Sequence, residues 1–264
     1  MSDSVAITSG KGGVGKTTFA VNLSIAFKKI SDEVFLLDTD LGMANSHVLL
    51  GDNPNYTIAD VISGNKKVSE IIYKNKYGIN LISGGTASNN VLNIENKARY
   101  SILNGIENHL MKYNSLKLIV DIAAGADDNS LIFSMACDRI VIVIVGEPTS
   151  FIDSYALIKA LYAKSSFKNY CIAVNQVDDE ANGVELFKKF QAITSKFLDV
   201  NLHYVGSVKS SRKISRSIVD RKPITVSEPK SDISQNFFKI AKKVTETPVN
   251  EWGGLTFLSQ KKRA

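Results

Sequence analysis

Val5-Ala6-Ile7-Thr8-Ser9-Gly10-Lys11-Gly12-Gly13-Val14-Gly15-Lys16-Thr17-Thr18 decides the fold. A short apolar run leads into the pattern G-x-x-x-x-G-K-[ST], with Gly10 and Gly15 as its glycines. Phe19, Leu23, Ala26 or Phe27, and Ile30 then recur at helical spacing. Strand, glycine-rich loop and helix together are the context that a phosphate-binding loop requires. Gly12, Gly13 and Gly15 let the backbone wrap closely and aim its N–H groups at phosphates, and the helix starting near Lys16 adds the positive end of its dipole. Lys16 is placed to reach the β- and γ-phosphates, Thr17 to give a hydroxyl to Mg2+, and Thr18 to hydrogen-bond another phosphate oxygen. Lys11 is the unusual residue. A lysine this early in the loop cannot easily serve the same phosphates from the same chain, so it points to a nucleotide site completed by another subunit.

Beyond the loop, short apolar runs alternate with segments of helical period, the pattern of a parallel sheet built from βαβ units. Strands are expected at Val5–Thr8, Glu33–Asp38, Ile79–Ser83, Leu118–Asp121, Ile140–Val145, Tyr170–Val174 and Leu202–Val205. The unbroken β-branched run Ile140–Val145 reads as a central strand buried on both faces. Helices are expected after the loop and near Ala98–Lys112, Phe151–Ala163, Val184–Phe197 and Ile233–Val244. The expected fold is therefore α/β: a doubly wound, mostly parallel sheet of about seven to eight strands flanked by helices. No internal repeat interrupts it. Residues 1–247 read as one domain and 248–264 as a C-terminal tail. Asp38 and Asp40 follow the second strand and Asp121 ends another, at the sheet edge where α/β folds bind ligands. One such aspartate is ordinarily a cap or turn residue; three beside a phosphate loop read as metal-shell and water-positioning groups.

The 264 residues are 44% hydrophobic and 22% charged, which suffices for a substantial core. No run approaches the roughly 18 apolar residues needed to span a bilayer, and the sequence enters a strand directly after Ser4, so a soluble cytoplasmic protein is expected. Cys137 and Cys171 permit a disulfide on numbers alone but are expected to be two buried thiols. The net charge of +6 allows attraction to anionic surfaces without choosing between membrane and nucleic acid.

Lys11-Gly12-Gly13-Val14-Gly15-Lys16-Thr17-Thr18 resembles the deviant Walker A motif of the MinD/ParA family of dimerising ATPases. Leu37-Asp38-Thr39-Asp40-Leu41-Gly42-Met43-Ala44-Asn45, Val48-Leu49-Leu50-Gly51, Glu147-Pro148-Thr149-Ser150 and Asp153–Lys159 are most similar to its flagellar-number regulators (FlhG, FleN or YlxH). The resemblance spans roughly residues 4–245. It implies a slow, partner-stimulated ATP hydrolase that uses Mg2+ and dimerises with ATP. Lys16 would bind phosphate in its own subunit and Lys11 would reach across the dimer, as an arginine finger does. Asp40 would position the attacking water, and Asp38, Asp121 and Thr17 would hold the Mg2+ shell. Val14 joins the loop glycines in the ATP-binding set. Asn45 would face phosphate across the interface, Asn175 would read the adenine edge or merely form a turn, and Glu147 would meet ribose or the partner subunit or simply be a charged loop residue.

Two departures from the family pattern stand out: Ala123 replaces the usual Gly or Pro, and His47 replaces a common aspartate and reads as surface variation. Many relatives carry an N-terminal extension that stimulates a partner GTPase, and that activity is not expected here. Paired cysteine motifs of iron–sulfur relatives are absent from the sequence.

Two segments are candidates for readout. Lys209, Arg212, Lys213 and Arg216 follow i, i+3, i+4, i+7 spacing, continued by Arg221 and Lys222; they make either a solvated helix face or a contact for an anion such as DNA. In the tail, Trp252, Leu255 and Leu258 share a helical face, Phe257 adds apolar bulk and Lys261-Lys262-Arg263 follow. This is either a peripheral membrane anchor, weakened by Gly253-Gly254, or a segment that packs on its own domain or stays disordered. The expected role is control of flagellar number or placement, with a homodimer, a membrane surface, and a flagellar-assembly GTPase or transcription regulator as partners. The rival readings are a DNA-partitioning ATPase and a nucleotide-bound adaptor with negligible hydrolysis.

Overall fold

The computed structural model describes residues 2–40, 44–85, 96–251, 254 and 256–258. Its sheet contains β1 (Asp3–Thr8), β2 (Glu33–Asp38), β3 (Tyr73–Lys74), β4 (Ile79–Ile82), β5 (Leu116–Asp121), β6 (Arg139–Ile144), β7 (Asn169–Val177) and β8 (Asn201–Lys209). They run in the order β3-β4-β2-β5-β1-β6-β7-β8, and each pairing is parallel except β3 with β4. The helices are α1 (Lys16–Lys28), α2 (Ser46–Leu50), α3 (Ile58–Ile62), α4 (Asn96–Leu110), α5 (Asp128–Met135), α6 (Pro148–Ser165), α7 (Glu180–Thr194), α8 (Arg212–Val219), α9 (Ile224–Ser227) and α10 (Asp232–Glu246).

Two layers of helices sandwich the sheet, and β6 shows why. Its Ile140, Ile142 and Ile144 point into a core shared with α4, α5, α6 and α7, while Val141 and Val143 point into a second core with α1 and α10. All five are fully buried, so this strand has no polar face, as its continuous β-branched run requires. β1 lies between β5 and β6, the place where successive crossovers leave in opposite directions. Ligands bind beyond the carboxyl ends of strands at such a switch point. The glycine-rich loop grows from that end of β1.

Every expected strand is present, most of them longer at one or both ends. β3 was not expected: at two residues it is too short to show a period. Ile30 was placed on the apolar face of the first helix, but α1 ends at Lys28 and Ile30 is exposed. His47 was read as surface variation; it is half-buried in α2, with Nδ1 3.5 Å from Ser83 Oγ, and burial lowers its pKa. Cys137 and Cys171 are separate buried thiols.

In the tail, Phe257 and Leu258 are buried in the α4–α7 core rather than displayed on a helical face. Phe257 N–H donates to Ala136 O at 3.0 Å, and its ring stacks on Phe133 at 6.4 Å between centroids. These two side chains are therefore committed to the domain. Trp252, Leu255 and Lys261-Lys262-Arg263 lie outside the described residues. Phe257→Ala should lower the unfolding free energy in urea by about 3 kcal/mol, the usual cost of emptying a buried phenylalanine site; a loss below about 0.5 kcal/mol, typical of a surface change, would mean that the ring does not pack there.

Candidate nucleotide-binding site

The loop between β1 and α1 is shaped by two close approaches. A side chain at Gly10 would meet the α6 backbone at Asp153, with a Cβ only 2.1 Å from its carbonyl carbon. Gly15 has φ 82°, in the left-handed region, and a Cβ there would lie 2.6 Å from Asn175 Nδ2. As the residue capping α1, Gly15 offers no side-chain acceptor, so the first N–H groups of the helix are left for an anion. Asn175 holds the loop from β7: Nδ2 donates to Val14 O at 2.7 Å.

Lys16 and the strand-end carboxylates form a buried cluster. Asp38 and Asp121 are register partners on β2 and β5, with 0% and 1% of their surface exposed. Lys16 Nζ lies 3.3 Å from Asp121 Oδ1. Burial, followed by the charge of Asp121, pushes the Asp38 carboxyl up to about 7. Burial also raises Asp121, opposed chiefly by Lys16 and the Thr17 hydroxyl, while the nearby charge of Asp40 adds to the rise. The structure thus brings Lys16, Thr17, Asp38, Asp40 and Asp121 together.

Asp38 has a second task that the sequence did not announce. Its Oδ1 accepts the Asp40 N–H at 3.0 Å, and its Oδ2 accepts those of Asn45 and Ser46 at 3.1 and 3.0 Å. One carboxylate therefore pins both ends of the loop after β2; Leu41–Met43 between them lie outside the described residues. Asn45 precedes α2 with its side chain exposed. Thr39 Oγ1 adds a 3.0 Å hydrogen bond to Asp121 O.

The donor set suits a hard divalent cation. Two buried carboxylates, repelling one another beside a hydroxyl, offer oxygen ligands and would be relieved by positive charge. Among the described residues no group of three or more His, Cys, Asp and Glu side chains could hold an ion unaided. That matches Mg2+, which commonly takes one or two protein ligands and completes its shell with phosphate and water.

Lys11 faces away from this cluster. Its Nζ contacts Glu147 Oε2 at 2.5 Å and Thr149 Oγ1 at 3.0 Å, where the chain enters α6. Lys11 is 37% exposed and Lys16 11%, so the two lysines of one loop sit in different surroundings. Glu147 was considered as a ribose or partner contact; here it holds Lys11 of its own chain, an exposed pair worth at most about 1 kcal/mol.

Beside the loop lies a cavity of about 310 Å³, lined by Thr18, Asn175, Gln176, Ser211, Ile214 and Ile218 among others. Asn175 therefore stands between the loop and this cavity. Gln176, with φ 58° and Nε2 3.5 Å from Gly13 O, was not anticipated, nor was the lining from α8. Its signal was the serine pair after β8, a strand-end loop like the others. The basic face expected on α8 is partly neutralised: Lys213 pairs with Glu228 at 2.5 Å and Arg216 with Asp220 at 3.4 Å, while Lys209 belongs to β8. Among the described residues no helix is long and apolar enough to cross a membrane.

The ParA family model, described as NUBPL iron-transfer P-loop NTPase, matches residues 1–245. Antiactivator FleN of Pseudomonas aeruginosa is 32% identical over 97% of this chain and 92% of its own length. The flagellum site-determining protein YlxH of Helicobacter pylori is 30% identical over 90% of this chain and 80% of its own. Among solved structures, the septum site-determining protein MinD of Pyrococcus horikoshii, complexed with Mg-ADP, superposes with a TM-score of 0.76 at 22% identity, covering 92% of this chain and 96% of that one.

Asn175→Leu should weaken binding of a fluorescent ATP analogue about tenfold, because it leaves the Val14 carbonyl without its buried donor. An unchanged affinity would remove Asn175 from the site.

Proposed function

The chain belongs to the ParA/MinD family of P-loop ATPases and is related to the FleN and YlxH flagellar regulators; on that premise we propose that it is an ATP-driven dimerising switch that controls flagellar number or placement. The observation that carries the proposal is the divergence of its two loop lysines. Lys16 turns inward to Asp121, whereas Lys11 is exposed beside α6. A site needing both ammonium groups on one triphosphate is satisfied most simply by taking the second from another copy.

In this reading the N–H groups of the loop and of the first turn of α1 bind the phosphates, and Lys16 shifts from Asp121 to phosphate. Thr17, Asp38 and Asp121 would hold Mg2+, with Asp38 also fixing the loop beside them. When bound, Mg2+ offsets charge on the phosphate oxygens. Asp40 orients the attacking water. Lys11 of the partner subunit releases its own Glu147 and Thr149 and stabilises charge that develops on the transferred phosphoryl group. Hydrolysis removes the shared γ-phosphate and with it the reason for the dimer.

Asn175, Gln176 and the α8 residues form the base pocket. The partner set includes a flagellar-assembly GTPase or transcription regulator. The DNA-positioning alternative is weakened by the ion pairs on α8. Membrane attachment, with Phe257 and Leu258 already buried, would depend on residues of the tail other than these two.

Asp40→Ala should accumulate an ATP-bound dimer in sedimentation velocity, while Lys16→Ala should stay monomeric with ATP. Wild-type mass unaffected by ATP would remove the dimer from the mechanism. Lys11→Ala should keep nucleotide affinity within about threefold, since its pair is exposed, yet lose dimerisation or hydrolysis; a large loss of affinity would place Lys11 on its own chain's nucleotide.

A further inference from the structure

Ser46, the first residue of α2, is fully buried against the two strand-end carboxylates. Its backbone N–H donates to Asp38 Oδ2 at 3.0 Å, and its Oγ donates to Asp121 Oδ2 at 3.4 Å. The same hydroxyl favours the charged form of Asp38. One residue outside the sheet thus touches the carboxylates at the ends of both β2 and β5.

A serine near a helix start ordinarily turns its oxygen back to accept N–H groups of its own first turn. Ser46 Oγ instead donates across to a strand. The helix has other anchors. Leu50 is buried in the core shared with α1, and Gly51 ends α2 at φ 70°, where a Cβ would lie 2.8 Å from Arg221 O. α2 is therefore also placed from its far end, and the hydroxyl reaches Asp121 from a fixed base.

The two oxygens of Asp121 are engaged from different helices. Lys16 Nζ, at the start of α1, lies 3.3 Å from Oδ1, and Ser46 Oγ takes Oδ2. The terminal torsion of an aspartate is soft, so a carboxylate held at one oxygen can still turn. Held at both, it keeps one orientation.

We propose that Ser46 is a positioning residue for the cation site, whose hydroxyl keeps the Asp121 carboxylate oriented when Lys16 leaves it for phosphate. The inference rests on the Mg2+-nucleotide reading above and adds a residue that does not touch the cation itself. Three side chains favour the charged form of Asp121 or bond to it: Lys16, Thr17 and Ser46. In that reading Lys16 is drawn to phosphate and Thr17 to the cation. Of the three, Ser46 is the donor that stays. At 3.4 Å its contact is longer than the roughly 2.6 Å of a close hydroxyl–carboxylate bond, and the ammonium on the opposite oxygen competes for the same group. Hydrogen bonds of this kind fix the direction of a metal ligand, and losing one typically weakens metal binding about ten- to a hundredfold.

The test uses the full chain with ADP bound and measures Mg2+ uptake by that complex in titration calorimetry. Ser46→Ala keeps the N–H bond to Asp38 and removes only the hydroxyl. It should weaken Mg2+ binding about tenfold, while ADP affinity in EDTA stays at the wild-type value, because no phosphate-binding group has changed. Leu50→Val thins the packing under the same helix and alters neither carboxylate, so its complex should bind Mg2+ as the wild type does. Equal Mg2+ affinity in wild type and Ser46→Ala would overturn the proposal and leave the Mg2+-nucleotide reading standing. A loss in Leu50→Val as large as in Ser46→Ala would also overturn it, by assigning the effect to the placement of α2. A wild-type complex that binds Mg2+ no more tightly than free ADP does would remove the reading itself, and the proposal with it.

Discussion

Two carboxyl groups buried side by side at the ends of neighbouring strands govern the rest of this structure. Asp38 and Asp121 are unfavourable where they stand, since each lacks water and each raises the cost of charging the other. The chain offsets this with what it has: the Lys16 ammonium on Asp121, and three backbone N–H groups on Asp38. Both compensations come from outside the sheet: Lys16 stands at the start of α1, and the N–H groups belong to Asp40, Asn45 and Ser46 around the loop after β2. The apolar layers on each side of the sheet hold the pair in place, and the pair in turn dictates what the loops around it do.

Much of this was legible beforehand, for identifiable reasons. The parallel sheet followed from Ile140–Val145 and its neighbours, whose unbroken apolar runs leave no solvent face. The nucleotide loop followed from glycines at fixed spacing, a local signal. Long-range pairings were less accessible. That Glu147 and Thr149 would hold Lys11 depends on α6 starting beside β1, which no local period encodes. The same applies to Gly10: its pattern position was plain, but its need for glycine comes from the α6 backbone at Asp153. For Phe257 and Leu258 the sequence left a displayed face and packing on the domain both open, because apolar character says only that a side chain seeks burial, not against what.

The comparison with relatives and the geometry meet at the loop. Sequence similarity covers nearly the whole chain, and the sheet order, the strand-end aspartates and the second lysine form one coherent set. The face of α8 carries ion pairs that offset part of its basic charge. The sheet concentrates the groups suited to phosphate at the switch point around β1.

The position of β1 has a consequence for how the molecule assembles. Its neighbours are β5 and β6, so Asp3 pairs with Lys117 and Val5 with Arg139. The strand that launches the phosphate loop thus has no sheet partner until more than a hundred further residues have joined it. Parallel pairing over such separations is slow, because loop closure precedes any stabilising contact. The nucleotide loop therefore takes its shape only once these long-range pairings are made. A nucleotide that binds only once β5 and β6 have closed around β1 stabilises the completed fold by mass action.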